Sequence, residues 1–212
     1  MGVAEFAESF IPEDAVLTAA RAAAAEIGIE PTSPATGAAL RVLAATAHAR
    51  TAVEVGTDTG VSGLYLLRGM RPDGVLTSID AEAEAQRLAR AAFTADGVPN
   101  ARARLINGRA LDVLPRLTDA AYDLVFVASD RREYPDLLPQ VIRLVRVGGL
   151  IIFDGAANAV DPAARDAESG ALRRLIDLVR EDGRLMSAII PVGSGLIAAV
   201  VVSDEAGAGG AA

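Results

Sequence analysis

Between Thr51 and Ser203 short apolar runs (TAVEV, GVLTSID, ARARLIN, YDLVFV and GGLIIFD) alternate with Ala-, Leu- and Arg-rich segments of helical period. That alternation is the tightest constraint on the fold. The runs lack strict in-out alternation, which suits strands buried on both faces of a parallel sheet. Segments such as AEAEAQRLARAAFTADG read as helices closed by Gly. The order strand, helix, strand predicts an α/β fold with a doubly wound, mostly parallel sheet. The ending differs: RLMSAIIPV, then GSG, then LIAAVVVS reads as two strands joined tightly, a terminal antiparallel hairpin.

Ahead of the first strand two helices are expected, PEDAVLTAARAAAAEIG and SPATGAALRVLAATAHA, the second with Ser33 as N-cap and Pro34 at its first position. They precede the sheet and are placed to roof its ligand edge. No linker interrupts the chain, so residues 1–203 are read as one domain, with N-terminal helices over 1–50 and a disordered tail over 204–212. A length of 212 residues is enough to bury a full core.

Composition removes several function classes. Twenty basic and 28 acidic residues give a net charge of −8, which disfavours nucleic acid as a partner. The longest apolar runs, such as LIAAVVV, fall far short of the roughly 20 residues that span a bilayer. The N-terminus MGVAEFAESF carries acids and no basic run, so no secretory signal is expected and the cytoplasm is the expected location. There is no Cys, hence no disulfide, thiolate site or Cys nucleophile, and no Lys, hence no Schiff base, Walker lysine or lysine base. His48 is the single histidine.

The first strand runs into EVGTDTGVSG, a glycine turn opening a helix. Gly56 and Gly60 let backbone approach a ligand closely. A dinucleotide site would need G-x-G-x-x-G, whereas the spacing here is G-x-x-x-G-x-x-G, and Asp58 would set a negative charge beside a diphosphate. A nicotinamide-dependent oxidoreductase is therefore disfavoured. The second strand ends in Asp80, 24 positions after Gly56, where an acid accepts from ribose hydroxyls, and the third leads to Gly108 and Arg109. Competing readings make Asp58 a plain turn former and Arg109 a solvated helix start.

Taken in order, TSPATG, AVEVGTDTGVSGLYLL, GVLTSID, GRALDVLPRL, YDLVFVASDRREYPDLL, LVRVGGLIIFD and IIPVGSGLIAAV resemble the catechol and caffeoyl-CoA type O-methyltransferases over roughly residues 30 to 202. The glycine turn corresponds to E-x-G-x-G-x-G with Asp58 in place of the middle Gly. The resemblance implies a Rossmann-like seven-stranded methyltransferase fold, commonly a homodimer, that binds S-adenosyl-L-methionine and methylates a hydroxyl of a small-molecule acceptor. It further implies that Gly56, Asp58, Ser62, Asp80, Gly108 and Arg109 line the cofactor, with Glu54 near its amino acid end.

Where that family writes D-A-D-K, with a metal-binding Asp first and a base Lys last, this chain has Ala128, Ser129, Asp130 and Arg131; where it writes D-N, this chain has Asp154 and Gly155. One of three metal ligands survives. A hard dication wants about six oxygens, so no metal is expected, although Asn158 would substitute for the missing Asn if its loop folded back. Asp154, Asp130 and His48 remain as conceivable bases, and Arg131 as a stabiliser of a phenolate, since it cannot accept a proton. The bland alternatives are a strand-edge cap for Asp154, a solvated ion-pair face for Asp130, Arg131, Arg132 and Glu133, and a surface helix end for His48, the last being favoured. A non-catalytic protein that keeps the nucleoside pocket is the remaining rival.

Overall fold

The computed structural model describes residues 2–160 and 164–203. The expected tail over 204–212 lies outside them. Seven strands, β1 (Thr51–Val55), β2 (Val75–Asp80), β3 (Ala103–Asn107), β4 (Tyr122–Val127), β5 (Val145–Asp154), β6 (Leu185–Ile190) and β7 (Leu196–Val201), form one sheet in the order β3-β2-β1-β4-β5-β7-β6. Neighbours from β3 through β5 pair in parallel, and β7 runs antiparallel to both β5 and β6. The doubly wound α/β sheet and its terminal hairpin are thus as the sequence predicts.

Each strand sends alternate residues into two cores. Val53, Val55, Val125, Val127, Ile151 and Phe153 face α7 (Tyr134–Leu144) and α8 (Ala167–Glu181). Ala52, Leu124, Phe126 and Ile152 face the other way, toward α3 (Pro34–Thr46) and α4 (Val61–Gly69). Both faces of the central strands β1, β4 and β5 are covered, which explains why their runs read as continuous apolar stretches, whereas the edge strand β6 leaves Met186 and Ile189 exposed. The outer layers also include α2 (Ala15–Glu26), α5 (Ala83–Ala95) and the short α6 (Ala110–Val113). Strand β5 begins at Val145, earlier than GGLIIFD, because a register shift between Tyr122 and Leu124 admits the extra residues.

Three helices, rather than two, precede β1. The additional α1 (Val3–Phe10) buries none of its residues, although Val3, Phe6, Ala7 and Phe10 recur at helical spacing and form an apolar stripe that is not taken into the core. Ser33 caps α3 as expected, accepting from Thr36 N, and Asp14 caps α2 through Val16 N and Leu17 N. Glu8 reaches from α1 to accept from Ser33 Oγ and Ala35 N, both at 2.9 Å.

At the edge opposite the ligand side, Asp123 stitches three strands. Its carboxylate accepts from Arg50 N at 2.7 Å, Thr51 N at 2.9 Å and Arg146 Nε at 2.7 Å. Those donors hold its carboxyl below the usual range despite burial. Replacing Asp123 by Ala leaves two backbone donors and a guanidinium without their acceptor, and is expected to cost about 3 kcal/mol, read as a lower midpoint with an unchanged slope in urea unfolding at neutral pH. Because the folded-state value is depressed, the same difference should shrink as pH falls through it.

Candidate active site

The C-terminal ends of β1, β2, β3 and β4 surround a cavity of about 450 Å³. Its shape starts with Gly56. This residue sits at φ +93°, and a Cβ on it would collide with the carbonyl oxygen of Ala128 at the end of β4. The close approach is fixed by backbone bonds from Gly56 N to Ile79 O at 2.9 Å and from Ala128 N to Val55 O at 2.8 Å. Only a glycine allows both the left-handed turn and the contact.

Asp80 organises the opposite wall. Its two carboxylate oxygens accept from Asp58 N at 3.0 Å and Glu82 N at 2.8 Å, while its carbonyl accepts from Gly108 N at 2.8 Å. Three turns after three strands therefore converge on one residue. Asp58 itself adopts φ +45°, the left-handed region that Asp tolerates better than most side chains. Burial and the neighbouring Asp80 charge push its carboxyl up to about 6.

Gly56, Asp58, Asp80, Gly108 and Arg109 all line this cavity, together with Ala128, Ser129, Asp130 and Glu133. Arg109 bonds Glu133 at 2.9 Å and is largely exposed. Glu54 and Ser62 are not in the lining. Glu54 is completely buried behind the glycine turn, where it accepts from Ser62 Oγ at 2.6 Å and Ser78 Oγ at 2.5 Å, and Thr57 Oγ1 pairs with Ser78 Oγ at 2.7 Å. Burial raises its carboxyl to about 8, against the pull of the two serine bonds. The neutral form is therefore the favoured one at pH 7. The N-terminal helices, expected to roof the ligand edge, contribute no residue to the lining of this cavity; α2 instead braces the glycine turn, its Ala20 carbonyl accepting from Thr59 Oγ1 at 2.9 Å.

Beyond the cavity, along the same sheet edge, Arg131 and Asp154 come together. Arg131 Nη2 lies 3.4 Å from Asp154 Oδ2 and Nη1 lies 3.6 Å from Glu168 Oε2. Ser194 Oγ donates to Asp154 Oδ1 at 2.6 Å. Gly155, at φ +98°, lies directly under the Arg131 side chain: a Cβ there would collide with Nε and stand 3.0 Å from Cδ. Among the described residues, the buried side-chain atoms left without a hydrogen-bond partner are Ser129 Oγ and Arg131 Nε.

The other candidates separate from this pair. Asp130 is held by Arg132, accepting from its backbone N at 3.0 Å and from its guanidinium, so its carboxyl lies below the usual range and it is a poor base. His48 is exposed with φ +49°, just before β1 and hence at the edge away from the cavity. Asn158 is exposed on the turn Ala156–Ala159. A divalent cation does not suit this donor set: Ala128 and Gly155 offer no side-chain oxygen, and the one remaining carboxylate already faces a guanidinium. Sequence reasoning missed Ser129, Glu168 and Ser194. The GSG turn was visible, but nothing local joins its serine to an aspartate 40 positions away.

The sequence profile of the O-methyltransferase family matches residues 7–201. A protein of Mycobacterium tuberculosis (strain H37Rv) named as a probable O-methyltransferase is 50% identical over 197 residues, covering 92% of this chain and 88% of its own. Among solved structures, the O-methyltransferase TomG of Streptomyces achromogenes, involved in tomaymycin synthesis and determined with SAM, superposes with a TM-score of 0.85 at 28% identity, covering 96% of this chain and 100% of its own. An O-methyltransferase from Bacillus cereus in complex with SAH gives 0.84 at 27% identity, covering 93% and 95%.

Glu54 makes a test of this geometry. Its folded-state value of about 8 lies above the ordinary 4.5, so its contribution to stability is fully present below 4.5 and is lost as pH rises through about 8. Glu54→Gln keeps a neutral group of the same shape. Thermal midpoints of the variant relative to the parent should therefore climb between pH 5 and pH 9; a constant difference would mean that Glu54 is ionised throughout.

Proposed function

The chain belongs to the O-methyltransferase family, and from that premise we propose that it transfers a methyl group from S-adenosyl-L-methionine to the hydroxyl of a small-molecule acceptor without a divalent metal. The charge of the cavity carries this reading. Asp58, Asp80, Glu82, Asp130 and Glu133 line it, and its one basic side chain, Arg109, is already bonded to Glu133. Such a wall repels a diphosphate and suits a ligand bearing a sulfonium and an ammonium.

In this reading the cofactor's ribose hydroxyls bond to Asp80, whose carboxylate is fixed by two backbone donors but keeps free lone pairs. The adenine lies toward Gly108 and Arg109. Gly56 gives the amino acid end access to backbone, and Asp58 faces its positive charge. Glu54 and Ser62 support the turn from behind. Methyl transfer is an in-line displacement, so holding donor and acceptor oxygen in line supplies much of the rate. Asp154 and Arg131 stand at the acceptor side of that line.

Residues 1–203 act as one methyltransferase unit in this reading, in the cytoplasm and as a homodimer. Support for a second copy comes from α1, which exposes Val3, Phe6 and Phe10 beside Val42 of α3 over an apolar cavity of about 900 Å³. Among the described residues no helix is long and apolar enough to cross a membrane.

Calorimetric titration with S-adenosylhomocysteine tests the core of the proposal. Binding in the micromolar range is expected, and no binding would overturn it. The affinity should rise with pH through about 6 as Asp58 ionises to meet the ammonium, and Asp58→Asn should flatten that dependence. Asp80→Asn is expected to weaken binding roughly tenfold or more, through loss of a charge-assisted acceptor. Turnover that vanishes with chelator and returns with Mg²⁺ would sink the metal-free part, and a single-chain mass by light scattering would sink the dimer.

A further inference from the structure

We propose that the Arg131 guanidinium is the site's own cation: it reaches Asp154, the one residue kept of the three that the family resemblance gives as metal ligands, and it binds the ionised oxygen of the acceptor. This rests on the methyl-transfer reading above and deepens it by naming the group that replaces the metal.

Arg131 and Gly155 act as one device. The side chain of Arg131 crosses the α-carbon of Gly155 so closely that any Cβ would meet Nε, Cδ and Cζ. Gly155 also needs its left-handed φ of +98°, which opens the turn Ala156–Ala159. A side chain at 155 would expel the guanidinium. With glycine there, the guanidinium reaches Asp154, whose other oxygen is taken by Ser194, and Glu168 from α8. A dication entering beside Asp154 would then meet a fixed positive charge instead of a free ligand.

The same guanidinium is short of partners. It has five N–H donors, yet its two carboxylate contacts are long, at 3.4 and 3.6 Å. Nε is buried and unpaired, as is Ser129 Oγ two residues earlier, on the wall of the cofactor cavity. Its side chain remains 28% exposed, so an incoming anion can reach it. A planar guanidinium favours oxyanions, and a negatively charged oxygen supplies the acceptor this group lacks.

The chemistry balances without a protein base at Arg131. The acceptor hydroxyl gives its proton to solvent. The resulting oxyanion uses a lone pair to form the new carbon–oxygen bond as the carbon–sulfur bond breaks, and that electron pair stays on sulfur, turning the sulfonium into a neutral thioether. One positive charge assists ionisation less than two, and one guanidinium has no need of a chelating pair of oxygens. The acceptor class is therefore an acidic phenol or enol with a single reacting hydroxyl, rather than an aliphatic alcohol or a vicinal diol used as a chelate.

Two measurements on the full chain, saturated with S-adenosylhomocysteine, test this. Mn²⁺ titration followed by electron paramagnetic resonance should leave the free-ion signal undiminished in the parent, and Ala128→Asp/Arg131→Lys/Gly155→Asn should quench it. With 4-nitrophenol as probe, absorbance should show its ionisation moved to lower pH on binding, with roughly tenfold or more preference for the phenolate. Arg131→Met should abolish that preference and Arg131→Lys restore part of it. Mn²⁺ bound by the parent, a folded triple variant that leaves Mn²⁺ free, no phenolate preference in the parent, or the same preference in Arg131→Met would each overturn the proposal. Failure of S-adenosylhomocysteine itself to bind would instead overturn the methyl-transfer reading beneath it.

Discussion

A carboxyl group with no counter-ion holds the ligand edge together. Glu54 ends up fully enclosed between β1, β2 and α4, and its two oxygens are satisfied by serines from the latter two elements. An unpaired buried charge is costly, so the group stays neutral and acts as a hydrogen-bonding hub. The backbone of the glycine turn lies on this hub. Gly56 presses against Ala128 and Asp58 reaches Asp80 directly above this buried, hydrogen-bonded group. A precise ligand surface thus depends on a side chain that does not touch the cavity.

Much of this arrangement is legible in the sequence because it is local. The strands announce themselves as apolar runs, and Gly56, Asp80 and Gly108 stand at strand ends, so a parallel sheet necessarily brings them to one edge. What cannot be read is the direction of side chains around a turn. Glu54 and Ser62 belong to the same motif as Gly56, yet the pleat sends Glu54 to the opposite side from the neighbouring valines. Helix α1 escapes notice for another reason: its apolar stripe of Val3, Phe6 and Phe10 spans only two turns and buries nothing, so no core stands behind the pattern. Glu168 and Ser194 approach Arg131 and Asp154 through the packing of α8 and the hairpin, contacts that no spacing encodes.

The stretch ASDRRE shows how one set of residue types can be divided by geometry. Asp130 and Arg132 close on each other at the surface, Glu133 turns to Arg109, and Arg131 alone turns inward to Asp154. A formal count would call this a balanced, solvated run. The fold instead uses three members to hold the turn and cavity rim, and directs the fourth along the sheet edge.

The hairpin has a consequence for the order in which the protein is made. Asp154 receives its bond from Ser194, Gly155 N donates to Gly195 O at 2.9 Å, and the same turn touches α3 through Thr36 Oγ1 and Val192 O at 3.5 Å. Strand β7 is also the partner that β5 needs to lose its open edge. During synthesis the parallel half of the sheet emerges first, but the aspartate that faces Arg131 is not fixed until residues near the end of the sheet arrive. Until those residues arrive, Asp154 and Gly155 lack the partners that fix them, although the strands β1 to β4 that surround the cavity have already been made.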